Sequence, residues 1–444
     1  MSDDPHLSWG RIPRATHIPL GLNARSAPLP PRGAHTLLPY GLGRSYGDSC
    51  LNDGGALLLT RGLDRWIAFD EATGVLRCEA GVSLAEILDL CVPKGWFLPV
   101  TPGTKFVTVG GAIANDVHGK NHHRAGTFGR HTRCFELLRS DGSRRLCSRG
   151  DNATWFRATV GGLGLTGLIT WAEIQLQRIH NPLIDAEKIR FRNLAEFIDL
   201  AHASDKDFAY TVAWVDCLAA GENLGRGIFM RGNHAGPEAN AAAKRRKLPI
   251  LPVPFDAPGF LLNKHTVRAF NTLYAKTLKG DRHRGFEHYE PFFYPLDVLN
   301  QWNRLYGKRG FFQHQCVVPL DGHGGPIKEI LRAIADSGQA SFLAVLKLFG
   351  DLPPEGLLSF PRPGITLALD FPNRGTSTRE LMDRLDQIVA AQGGALYPAK
   401  DARMRGDHFR QFFPALDLFQ PFIDPAFSSS FWRRVMATSP ENPA

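Results

Sequence analysis

At 444 residues the chain is too long for one ordinary core, and a typical domain of about 150 residues points to two or three. An apolar fraction of 43%, with 45 glycines and 31 prolines, describes a loop-rich globular protein and excludes a disordered one. The formal charge of +9 favours an anionic partner, while the lack of interleaved aromatic and basic residues argues against nucleic acid.

Leu37 to Pro39 reads as a strand that runs into a glycine-rich turn from Tyr40 to Asp48. Ala56 to Leu59, Trp66 to Asp70 and Val75 to Glu79 are short strands set between turn residues. Ser83 opens a helix on which Leu84, Ile87, Leu88 and Cys91 share one face, and Lys94 and Gly95 stop it. The stretch from Pro99 to Arg130 is rich in glycine and small residues and carries His118, His122 and His123. Such a run is poor core material and good material for enclosing a flat, phosphate-bearing cofactor, because glycine lets the backbone approach closely. Within it, Val109 to Asn115 is predicted to be a short helix, and further on Asp151 is predicted to cap a helix carrying Trp155 and Phe156. Leu168, Thr170, Ala172, Ile174 and Leu176 alternate with Ile169, Trp171, Glu173, Gln175 and Gln177, the pattern of a half-buried strand. It closes an α+β N-terminal domain near residue 180. Beyond it, strands such as Phe208 to Val215 and Gly310 to Val318 alternate with helices such as Gly325 to Ser337. Asn233 to Pro258 reads as a long irregular insertion, and loops of that length are usually functional or disordered. A C-terminal segment beyond Gly394 ends in a predicted helix over Phe427 to Met436.

Seven irregularly spaced cysteines argue against a disulfide framework or a zinc ribbon and fit a reducing compartment. The first residues carry acids and no apolar run, unlike a signal peptide, and no stretch approaches the roughly 18 apolar residues of a membrane span. The expected location is cytoplasmic, with any membrane contact peripheral. Lys244 to Lys247 is a basic run followed by Leu248, Ile250, Leu251, Val253 and Phe255, so residues 244–255 are read as a contact for an anionic membrane. Replacing the four basic residues is then expected to weaken binding to anionic vesicles.

Gly162 to Gly167 matches the G-x-G-x-x-G string of Rossmann nucleotide sites, but that fingerprint opens a helix and a strand is expected here. In the turn from Gly41 to Asp48, successive backbone N–H groups can form a nest for phosphate oxygens, with Ser45 adding a hydroxyl and Arg44 a charge. A second glycine-rich loop lies around residue 110, and the pair resembles the two-part pyrophosphate clamp of a class of flavoenzymes. His118 and His122 lie four apart, yet Gly119 weakens any helix between them and no glutamate follows His118, so no metal is expected.

These stretches, GRSYGD, PGTKFVTVGGAIANDVHGKNHH, ATVGGLGLTG, WNRLYG, KLFG, LDFP and AKDAR, together resemble FAD enzymes of the vanillyl-alcohol-oxidase type. Within that class the chain resembles the decaprenylphosphoryl-β-D-ribose oxidases, over nearly its whole length from Trp9 to Arg434. The resemblance implies an α+β, two-domain fold. A PCMH-type FAD-binding domain would span 1–182, a β-sheet substrate (cap) domain 183–394, and a segment returning to the FAD domain 395–444. FAD contacts would fall on Gly41, Leu42, Gly43, Arg44, Ser45, Tyr46, Gly47, Asp48 and Ser49 in the first loop. In the second they would fall on Gly103, Thr108, Val109, Gly110 and Gly111, then Asn115, Asp116, Val117 and His118, with Ile169 and Tyr397 further along. Some relatives attach the flavin through a histidine in the first loop; Arg44, Ser45 and Tyr46 stand here, so the FAD is expected to be non-covalent.

The resemblance also names two catalytic residues, His118 facing the substrate pocket and Lys400 beside the flavin ring. A lysine there acts either as a fixed cation that raises the flavin's electron affinity or, partly desolvated, as the base for the reacting hydroxyl. Gln313 and Gln315 would meet sugar hydroxyls, Lys347 a substrate phosphate, and Tyr294 and Trp214 would wall the cavity. The implied reaction oxidises the ribose 2-hydroxyl of a polyprenylphosphoryl-β-D-ribose to a ketone, half of an epimerisation to arabinose in a bacterial envelope. A separate NAD(P)H-dependent reductase would complete it. The competing readings are an aldonolactone or alditol oxidase acting on a soluble sugar, a nicotinamide-dependent Rossmann dehydrogenase and a non-catalytic binding protein. One departure stands out: mycobacterial members carry a cysteine, the attachment point of covalent inhibitors, where this chain has Ala368.

Overall fold

A computed structural model describes residues 5–239, 251–259, 261–322, 324–339 and 341–437. The basic run 244–247 expected to touch a membrane lies outside the described residues.

The N-terminal part holds two main sheets, beside a short antiparallel pair of Trp96–Phe97 with Gln177–Arg178. Ile18–Gly21 (β1), Leu37–Tyr40 (β2) and Ala56–Leu59 (β3) form a parallel sheet in the order β1-β3-β2. Trp66–Asp70 (β4), Val75–Glu79 (β5), Thr132–Leu138 (β6), Arg144–Ser148 (β7) and Leu168–Gln175 (β8) form an antiparallel sheet in the order β4-β5-β8-β6-β7. Between β5 and β6 lies Leu84–Cys91 (α1), where Ser83 and Glu86 make a reciprocal capping box and Leu84, Ile87, Leu88 and Cys91 are buried. The helix passes into a short tighter turn that Gly95 ends with φ of 78°, a left-handed value glycine adopts without strain. Val109–Ala114 (α2) is capped by the Thr108 hydroxyl, which accepts from the Gly111 N–H. Both helices pack on the inner face of the five-stranded sheet, against Leu76, Phe135, Ala172 and Ile174. Asn152, not Asp151, sits at the N-cap of Ala153–Thr159 (α3), in the left-handed conformation that asparagine tolerates.

The second part is one antiparallel sheet of eight strands. Its members are Leu183–Phe191 (β9), Tyr210–Val215 (β10), Gly227–His234 (β11), Arg282–His288 (β12), Phe311–Val318 (β13), Ala344–Phe349 (β14), Gly364–Pro372 (β15) and Ala395–Leu396 (β16). Their order is β12-β9-β11-β10-β14-β15-β13-β16. Leu194–Ser204 (α4), Gly325–Ser337 (α6) and Thr376–Ala391 (α7) cover one face; Lys264–Thr277 (α5) packs elsewhere, beside Trp214 and Ile228. The period of two sorts the strands' side chains between the faces. Phe312, Cys316, Leu367, Leu369 and Phe371 join the helix-covered core, and His314 reaches Asp386 of α7. Gln313, Gln315, Thr366, Ala368 and Asp370 therefore point to the opposite face. That face roofs a cavity whose floor is the N-terminal part. The last helix runs over Ser430–Met436 (α8), shorter than expected because the Ser429 hydroxyl caps it, and it packs against residues 48–50.

Candidate active site

One cavity of about 390 Å³ lies between the two parts of the chain. Its floor comes from the loop after β2, residues 101–104, α2 with the turn to Lys120, and Gly164 to Ile169. Its roof comes from β10, β13, β14, β15 and the segment from Tyr397 to Lys400. Among the described residues, the main-chain N–H groups of Leu42, Gly43, Arg44 and Ser45 have no hydrogen-bond partner. The buried Ser49 Oγ and Arg44 Nε are equally without one. Gly43 has φ of 60°, which turns these donors inward as a nest, and a Cβ there would collide with the Tyr40 hydroxyl. Buried side-chain donors left unsatisfied, as at Ser49 and Arg44, are rare, and with the open N–H groups beside them they call for a ligand rich in acceptor oxygens. A dinucleotide diphosphate fits it. Arg44 is held flat, its guanidinium 4.0 Å from the centre of the Trp9 ring.

Most of the residues singled out in the sequence meet at this cavity. Gly41 to Tyr46, Ser49, Gly103, Thr108, Gly110, Gly111, Asn115, Val117, His118, Ile169 and Tyr397 line it, as do Gln313, Gln315, Lys347, Trp214 and Lys400. Five do not. Gly47 packs its backbone against Asp401, where a Cβ would strike the carbonyl. Asp48 pairs with Arg434 at 2.7 Å. Val109 points into the core. Asp116 accepts from the Gly129 N–H at 2.9 Å and the Ser359 hydroxyl at 2.5 Å. The Tyr294 hydroxyl shares a hydrogen bond of 2.7 Å with Thr101. The resemblance implied four of these as FAD contacts and Tyr294 as a cavity wall; in the fold they hold the elements that line the cavity.

His118 sits at the centre of the polar wall. Lys347 Nζ lies 2.8 Å from its Nδ1 and 2.8 Å from the Gly119 carbonyl oxygen, and the Gln315 amide lies 3.0 Å from its Nε2. Burial, then the Lys347 charge, pushes the imidazole well below the usual histidine range, so it is neutral. Gln315 donates its amide N–H to Nε2, which leaves the ring proton on Nδ1, facing the Lys347 amine. His122 packs at a tilt on Phe349, which His118 also meets edge-on, and His123 reaches the Phe208 carbonyl.

Lys400 is different. Its Nζ lies 3.6 Å from the centre of the Tyr46 ring and has no hydrogen-bond partner among the described residues. Burial pushes this amine down, while the charge of Asp370 holds it up. Asp370 is itself raised by burial, and its Oδ1 accepts from Gln313 at 2.5 Å. Lys347 is lowered by burial to about 7, with Lys120 and Lys400 adding repulsion, and Lys120 is lowered by burial to about 8. Asp401 and Arg403 anchor the Lys400 segment, through Arg434 at 3.0 Å and through Asp386 at 2.8 Å.

Asp370 and Lys120 escaped the sequence reading. Asp370 sits in an apolar strand, where the shared face of Thr366, Ala368 and Asp370 was the available signal. Lys120 follows Gly119 in the small-residue run and donates to the Phe292 carbonyl at 2.8 Å.

The string Gly162 to Gly167 leads into strand β8, which removes the Rossmann reading. An FAD binding domain matches residues 32–148, the part that supplies the unsatisfied N–H groups. The chain is an FAD-dependent oxidoreductase with a PCMH-type FAD-binding domain. It is 37% identical to decaprenylphosphoryl-β-D-ribose oxidase of Mycolicibacterium smegmatis, over 91% of this chain and 90% of that one. It therefore belongs to the decaprenylphosphoryl-β-D-ribose oxidase family. A Streptomyces coelicolor protein from the mprA 5′ region is 37% identical over 80% of this chain and 100% of its own. A Δ(24)-sterol reductase of Rattus norvegicus is 32% identical over only 24% of this chain and 21% of its own, a likeness confined to part of the fold.

Proposed function

We propose that the chain oxidises the 2-hydroxyl of a polyprenylphosphoryl-β-D-ribose to a ketone. The observation that carries this reading is Lys400: a desolvated amine without a hydrogen-bond partner among the described residues, lining the same cavity as the neutral His118. FAD, when bound, supplies the acceptor for the hydride that leaves the substrate carbon. The protein's share is positioning and proton transfer. Lys400, in its amine form, takes the hydroxyl proton at Nζ, and Asp370 stabilises the ammonium that results. His118, held at Nδ1 by Lys347 and at Nε2 by Gln315, gives the sugar site a fixed polar wall. Gln313 and Gln315 lie on one face of β13 and suit sugar hydroxyls, while Lys347 and Lys120 suit the phosphate.

Non-covalent attachment of the FAD is supported by the first loop, which offers Arg44, Ser45 and Tyr46. Completing an epimerisation requires a separate nicotinamide-dependent reductase that consumes the ketone. Denaturing the yellow protein should release free FAD. Under anaerobic conditions prenylphosphoryl-ribose should bleach the flavin absorption and free alditols should not. Bleaching by the alditols alone would replace this reading with that of an alditol oxidase.

A further inference from the structure

We propose that α5 and the segment before it form a docking surface for an anionic lipid leaflet. This rests on the lipid-linked substrate proposed above and supplies the partner for the same cavity. Between Asp256 and Asp281 the sequence carries Lys264, Arg268, Lys276 and Lys279 and no acidic residue. All four basic side chains are exposed. Five of the ten large apolar side chains left exposed among the described residues, Leu251, Phe255, Leu261, Phe270 and Leu273, fall within 251–273. Single exposed apolar residues are ordinary, but this concentration marks an interaction surface. Phe255 and Leu273 are each 67% exposed, so neither is spoken for by the fold.

The helix is nonetheless anchored. Val267 and Asn271 are buried, as is Leu278 just past its end, and Asn271 donates to Asp216 at 2.7 Å. Tyr274, on the same helix, lines the cavity and packs on Trp214 with ring centres 4.8 Å apart. One side of α5 thus walls the substrate cavity while another presents leucine and lysine outward. That is the composition of a helix lying in a lipid interface, apolar side chains entering the acyl boundary and cations meeting the headgroups. A second copy of the chain is a poor occupant, because a two-fold contact would bring the same four-cation patch of each copy together. A lipid carrying a phosphoryl sugar would then reach the cavity from the leaflet without leaving it.

The test is co-sedimentation of the full-length, FAD-loaded protein with vesicles of phosphatidylglycerol mixed into phosphatidylcholine, against phosphatidylcholine alone. The expected result is binding to the anionic vesicles, weakened by salt, and about tenfold weaker in a Leu273→Ser, Phe255→Ser double variant. Lys276→Glu should act in the same direction. Binding that ignores lipid charge, binding unchanged in the double variant, or no binding overturns the surface. So does a concentration-dependent dimer that the double variant dissolves. Bleaching by a short-chain, water-dispersed prenylphosphoryl-ribose separates the two readings. Protein that oxidises it without binding vesicles removes the docking surface alone, and protein that binds vesicles but ignores it keeps the surface and loses the substrate.

Discussion

Desolvation of the Lys400 ammonium is offset by the Tyr46 ring beneath it and the Asp370 carboxylate nearby. Removing that carboxylate leaves burial unopposed. Asp370→Asn should therefore push the Lys400 amine lower still, and the pH dependence of flavin bleaching should move toward acid. A profile that stays in place would make Asp370 a structural residue only. Lys400→Met should slow bleaching by about 10²–10⁴-fold while the FAD remains bound, the range expected for loss of a positioned base. Unchanged bleaching would leave the proton transfer to another group. Ala368 stands between Gln315 and Val345 in the sheet and lines the cavity with a methyl group. The wild-type protein should give no adduct with a nitroso electrophile, and Ala368→Cys should give one, read as a mass increase on the intact protein.

Gly47, Asp48 and Arg434 matter as joints between elements. Arg434 of α8 spans Asp48 in the first loop, at 2.7 Å, and Asp401 in the lysine segment, at 3.0 Å. All three are largely buried, and the Tyr46 N–H also donates to the Ala399 carbonyl at 2.8 Å. The loop offered to the diphosphate and the segment carrying Lys400 are in this way one assembly. Arg434→Met leaves two buried carboxylates without their cation, a change that typically costs about 3–5 kcal/mol. Urea denaturation should show a loss of that size, and a loss under about 1 kcal/mol would mean that water replaces the pair. The strands and helices themselves were largely legible: β3, β4, β5 and α6 begin and end where alternation, capping and glycine predict. The joints were not. Asp48 and Arg434 lie 386 residues apart, and only the folded chain gives Asp48 a partner better than a ligand. Asp370 was hidden for the opposite reason: LDFP was legible as part of the resemblance, but nothing in its apolar strand set the acid apart as a partner for Lys400.

At the scale of the whole molecule, the net charge of +9 gave no hint that Arg44, Lys120, Lys347 and Lys400 would meet at one cavity. Their convergence has a pH consequence with a definite sign. Lys347 lies at about 7 and Lys120 at about 8, both below the usual value near 10.5. Between those values and about 10.4 the unfolded chain binds more protons than the folded one, so stability without ligand should rise with pH. Each lysine adds at most about 1.4 kcal/mol per pH unit across its window. Denaturation midpoints from pH 7 to 9 should climb more steeply in wild type than in Lys347→Met. A phosphate-bearing ligand reverses the effect. Its charge pulls Lys347 back up against the repulsion of Lys120 and Lys400, while the neighbouring His118, His122 and His123 stay neutral. Binding at pH 8 should therefore take up protons, visible as a dependence of the calorimetric enthalpy on the buffer's ionisation enthalpy. Lys347→Met should remove most of that dependence. Equal uptake in the variant would assign the phosphate to Lys120 instead, and no uptake in wild type would mean that the phosphate does not meet these lysines at all.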